Sequence, residues 1–158
     1  MDFNFHFSSA HGRLNPDDLT FFYYDVAKNS ELEELYILSN EELTNIAIES
    51  GLVLKPLKQL SFAKGKHSPN KNELYFTYQK KRIKEKKKVE LSYQTALFAH
   101  LRNSFSHFRI SYEAELLVRE DGFGNKRTMK GRVEINKLKQ MIYNIIELSN
   151  NKLAQANI

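Results

Sequence analysis

The residues best suited to chemistry stand in "LFAHLRNSFSHFRI", residues 97–110, where Arg102, Asn103 and His107 interrupt an otherwise apolar run. A guanidinium carries a fork of donors that matches phosphate oxygens. An imidazole titrates near pH 6.5 and can move protons under physiological conditions. An amide beside them can fix the imidazole tautomer or hold a further phosphate oxygen. Together they form a set for phosphate chemistry. The plainer reading is a solvated helix face with an incidental histidine, and spacing alone does not separate the two.

A helix has to present these groups. Leu97, Leu101 and Phe105 recur every four residues, the stripe runs back through Tyr93 to Val89, and Phe98 and Phe108 flank it. At about 100° per residue that stripe marks a buried side, and Arg102, Asn103, Ser106 and His107 fall on the opposite arc. Asn103 and His107 are i, i+4 neighbours within reach of each other. His100 lies near the His107 edge two turns earlier, roughly 10 Å away by helix rise. A polar arc turned from its own core meets water or a second copy of the chain. The helical pattern extends from about Asn72 to His107, with room for a break among the lysines.

That lysine tract, "KKRIKEKKK", holds seven basic residues in nine positions: Lys80, Lys81, Arg82, Lys84, Lys86, Lys87 and Lys88. Such a run can neutralise phosphates and release their counterions. It serves equally as a solvated helix face or linker. The formal charge of +5, from 24 basic and 19 acidic residues, permits a polyanionic partner without demanding one.

The surrounding elements follow from periodicity and caps. Asn15-Pro16-Asp17-Asp18 starts a helix through "DLTFFYYDVAKN". Ser30 can cap "ELEELYILS", and Ser39 or Asn40 can cap "EELTNIAIES", which Gly51 terminates. "LKPLKQLSFAK" reads as one more short helix. After His107 the period becomes two: Ile110, Tyr112, Ala114, Leu116 and Val118 alternate with polar residues. Met129, Gly131, Val133 and Ile135 do so again beyond "DGFGNK", which together makes a β-hairpin. A last helix turns Leu138, Ile142, Ile145 and Leu148 or Ser149 inward. The expected fold is a mainly α-helical bundle with one β-hairpin inserted before the C-terminal helix, built as a single domain over residues 1–158.

Other chemistries find little support. His6 and His11 flank "FSSA", but there is no HExxH, no HxH and no cysteine, so neither a metal site nor a cofactor is expected. The GxG of "DGFGN" lies between strands and suits a turn rather than a phosphate loop. Phe21, Phe22, Tyr23 and Tyr24 read as core, Tyr75, Phe76 and Tyr78 as core or base-stacking groups, and His67 as a loop residue. No secretory leader and no membrane-spanning run is seen, and a cytoplasmic location is expected.

"LRNSFSH" resembles the R-N-x-x-x-H form of the R-x4-6-H motif of the HEPN superfamily. The order of long helix, motif, hairpin and final helix, over about residues 72–150, is also similar to some of its members. The resemblance implies a helical bundle and, in many members, a metal-independent ribonuclease, often a toxin of toxin–antitoxin or anti-phage systems. By position it makes Arg102 and His107 the catalytic pair and Asn103 the polar residue after the arginine. It implies RNA as substrate, a homodimer across the Arg102/His107 face, and an antitoxin partner in the toxin branch. Non-catalytic RNA- or nucleotide-binding members and regulatory partner proteins share the superfamily, and that alternative stands beside the enzyme.

Overall fold

The computed structural model describes residues 16–21, 35–58, 68–81, 87–106, 110–112, 116–121 and 127–156. Within them the chain forms helix α1 (Pro16–Thr20), helix α2 (Asn40–Glu49), strands β1 (Val53–Leu57), β2 (Glu73–Thr77), β3 (Gln79–Lys81) and β4 (Lys88–Glu90), and helix α3 (Tyr93–Ser106). Strands β5 (Ile110–Tyr112), β6 (Leu116–Asp121) and β7 (Arg127–Val133) lead to helix α4 (Ile135–Ala156).

A five-stranded sheet of order β1-β2-β7-β6-β5 is the centre of the molecule, with β3 and β4 forming a separate two-stranded ribbon. The helical-bundle expectation is therefore corrected: this is a mixed α and β fold. The β1–β2 pair is parallel, with Val53 opposite Glu73, and the other neighbours are antiparallel. Leu54, Leu74, Phe76, Met129 and Val133 all lie in one buried cluster with the helices. Each such side chain removed from water contributes roughly 1.5–3 kcal/mol.

The difference lies in four segments. "VLKPL" of the supposed short helix is strand β1, where Pro56 is tolerated because β1 lies at the sheet edge. Residues 72–92 of the supposed long helix hold β2, β3 and β4, and Val89, counted in the helical stripe, is a strand residue. Lys, Glu and Arg favour helix in isolation, but pairing overrides propensity here. The alternating run from Ile110 to Val118 also folds back on itself, pairing Ile110 with Val118 and Tyr112 with Leu116. Leu35–Ser39, expected to end a helix, is non-helical; residues 22–34 and the expected cap Asn15 lie outside the described residues.

Other elements match their sequence signals. The hairpin of β6 and β7 forms, with register shifted at Glu120/Asp121. Helix α2 opens with a capping box: the Ser39 hydroxyl accepts from Glu42 N at 3.1 Å, and the Glu42 carboxylate accepts from Ser39 N at 3.1 Å. It ends at Gly51, whose φ of +88° few other residues adopt without cost. Helix α4 buries Leu138, Met141, Ile142, Ile145 and Ser149 along one face. No helix among the described residues is long and apolar enough to cross a membrane.

Candidate functional site on helix α3

Helix α3 is held at its start, its middle and along its buried stripe. Ser92 caps it, its hydroxyl accepting from Thr95 N at 3.1 Å, while the Asn40 side-chain oxygen accepts from Tyr93 N at 3.1 Å. The Gln94 amide, 1% exposed, acts as a surrogate strand for the extended segment before α2. Its oxygen accepts from Leu38 N at 2.8 Å and its nitrogen donates to Tyr36 O at 3.1 Å. Ala96, Leu97, Phe98, Leu101 and Ser104 are buried, and the helix packs across β2 and β6.

His100 fixes the middle. Its Nε2 lies 2.7 Å from the Thr77 carbonyl and 3.3 Å from the Thr77 hydroxyl. A carbonyl only accepts, so Nε2 carries the proton and ties α3 to the end of β2. The sequence places His100 near the His107 edge but says nothing of this tie. Its partner is a backbone atom of a strand that the helical pattern conceals.

The motif residues stand beyond this anchor. Arg102 and Asn103 are adjacent and half-buried, off the fully buried stripe of Leu97 and Leu101, as the helical wheel requires. His107 falls outside the described residues, which end on α3 at Ser106. The structure thus brings Arg102 and Asn103 together, and the third member of the trio is known from sequence alone.

The described residues of the lysine tract do not form a helix. Lys80 and Lys81 lie on β3 and Lys88 on β4, with Lys80, Lys87 and Lys88 exposed. Arg82, Lys84 and Lys86 lie outside the described residues. The ribbon runs directly into α3, and Leu91 N donates to Tyr78 O at 2.8 Å to close its base. Tyr75 and Tyr78 are half-buried, whereas Phe76 and Phe21 belong to the core. His6, His11, His67, Phe22, Tyr23, Tyr24 and the "GFGNK" turn at 122–126 lie outside the described residues. No three metal-binding side chains cluster among the described residues.

The family described as HEPN pEK499 p136 matches residues 27–155, more than half of the chain and all of α2 through β7. No curated protein and no solved structure matches it.

Proposed function

The chain belongs to the HEPN pEK499 p136 family, and on that footing we propose that it is a metal-independent endoribonuclease with Arg102, Asn103 and His107 as its reacting groups. HEPN membership suggests a nuclease or an RNA-related module. The observation that carries the finer reading is the adjacent, half-buried Arg102–Asn103 pair on α3, within the matched segment and five residues before His107 in sequence.

In this reading a ribose 2′-hydroxyl gives its proton to His107 as its oxygen bonds to the neighbouring phosphorus. The bond from phosphorus to the 5′-oxygen breaks, and that oxygen takes up a proton. The products are a 2′,3′-cyclic phosphate and a 5′-hydroxyl. Arg102 stabilises the charge that builds on the phosphoryl oxygens, and Asn103 orients the imidazole or the phosphate. Lys80, Lys81, Arg82, Lys84, Lys86, Lys87 and Lys88 draw RNA to the protein. The partners are a second copy across the Arg102/His107 face and, in a toxin or anti-phage setting, an antitoxin.

Purified protein incubated with mixed RNAs in EDTA is the test. Cleavage should persist and leave 2′,3′-cyclic ends, and RNA lacking the scissile 2′-hydroxyl should resist. His107→Ala and Arg102→Ala should each slow cutting by about two orders of magnitude or more, with helical content unchanged. Cleavage abolished by EDTA, or equal cutting of the deoxy substrate, refutes the mechanism. Binding of RNA with no cleavage returns the face to a binding module.

A further inference from the structure

The ribbon of β3 and β4 has only three residues in each strand and stands apart from the main sheet. Two-stranded ribbons of this size are marginal in water. The register sets Lys80 opposite Val89 and the Lys81 position opposite Lys88. Like charges at opposed positions disfavour such a pair. Lys87, just before β4, adds a further exposed positive charge beside Lys80 and Lys88. Glu90, the acid on β4, is engaged from outside the ribbon by Lys58 at 3.3 Å. The charge balance of the ribbon therefore favours an external anion.

Aromatic rings that pack partly against the core lie at its base. Tyr78 and Tyr93 are half-buried, with ring centroids 5.1 Å apart and planes inclined by 52°. Beneath them Phe76 packs edge-on against Tyr93 at 6.2 Å. Basic arms beside aromatic rings hold unpaired strands, since each free base offers a face for stacking. A duplex keeps those faces inside its own stack. Thr77, adjacent to Tyr78, is the residue that receives His100, and Arg102 follows His100 by about 3 Å of helix rise. Thr77 and His100 thus join the ribbon base to the middle of α3, just before the turn that carries Arg102 and Asn103.

We infer that the β3–β4 ribbon is an arm for single-stranded RNA, with Lys80, Lys87 and Lys88 on the phosphates and Tyr78 beneath a base, and that the bound strand stabilises the ribbon. This rests on the RNA-directed reading above and adds the substrate class and the element that selects it.

The test uses the full chain and a 2′-O-methyl oligouridylate, which cannot undergo 2′-hydroxyl attack, beside a 2′-O-methyl duplex of equal length. The strand should bind more tightly than the duplex and slow amide exchange across residues 79–90. Tyr78→Leu should weaken strand binding by about tenfold or more, while Tyr78→Phe retains it. Replacing Lys80, Lys87 and Lys88 with serine should lower the salt slope of binding by about two. Duplex binding as tight as strand binding overturns the inference, as does binding that leaves exchange at residues 79–90 unchanged. Equal affinity of Tyr78→Leu and wild type overturns it too, and so does a failure to bind the strand. Cleavage of unmodified RNA is scored separately. Strand binding through the ribbon without cleavage sinks the nuclease reading alone, and cleavage with an indifferent ribbon sinks this inference alone.

Discussion

Gln94 offers the sharpest check on how α3 is positioned. Its amide satisfies two backbone groups of the extended segment before α2, and it is almost fully buried. Gln94→Leu keeps most of the volume and removes both partners. The Leu38 N–H is then left buried without an acceptor, which costs about 1–3 kcal/mol. The Tyr36 carbonyl is partly open to water, so its loss adds about 0.5–1 kcal/mol. The expected destabilisation is about 1.5–4 kcal/mol, seen as a lower urea midpoint with an unchanged slope. Gln94→Glu separates hydrogen bonding from packing. An ionised carboxylate keeps the acceptor for Leu38 but sets a buried negative charge against the Tyr36 carbonyl. A protonated carboxyl restores both bonds. Burial raises the folded-state pKa of such a group above its unfolded value, so the penalty is full above the folded pKa. It shrinks as pH falls through that pKa toward the unfolded one. Urea titrations at several pH values measure it. A Gln94→Leu protein as stable as wild type, or a Gln94→Glu penalty that ignores pH, refutes the surrogate-strand account.

Three further outcomes are expected. Among the described residues the buried Ser149 hydroxyl has no hydrogen-bond partner, so Ser149→Ala should raise stability by about 1 kcal/mol in the same titrations. Glu134 is held below the usual carboxylate range first by its bond to Lys137 and then by Asn72, and Glu42 first by Lys152 and then by the Ser39 backbone. Both contributions are present above the unfolded carboxylate pKa and are lost as pH falls below it. Glu134→Gln and Glu42→Gln should therefore flatten the acid limb of a stability–pH curve, and an unaltered limb excludes these contacts as its source. If two copies meet across the Arg102/His107 face, sedimentation at micromolar concentration should report a dimer, and an active strict monomer excludes that assembly.

Sequence legibility followed the range of the contact that decides each element. A cap at Ser39 or Asn40, the Gly51 stop and most of the inward face of α4 are set within a few residues and could be read directly. The choice of Ser39, its capping box with Glu42 and the burial of Met141 came only with the structure. The β6–β7 pair announced itself through alternation around a turn. Strands β1 and β2 did not, because Leu54, Leu74 and Phe76 alternate over very short stretches, and β2 finds β7 only through the fold. The four-residue spacing from Val89 to Tyr93 crosses a strand-to-helix border and matches a helical period by coincidence. At the site, the wheel correctly set Arg102 and Asn103 off the buried stripe. The tie from His100 to Thr77 was illegible, since its acceptor belongs to a strand the helical pattern hid.

The position of β2 between β1 and β7 bears on the order in which the molecule can be made. While the chain is being synthesised, β2 and α3 emerge well before β7 and α4. Until those last elements arrive, Leu74 and Phe76 lack Met129 and Val133 beside them, and the core lacks Leu138, Met141, Ile142 and Ile145. Arg102 and Asn103 are then carried on a helix with much of its support missing. The support that holds Arg102 and Asn103 in place is therefore complete only once α4 has been made, well after α3 itself.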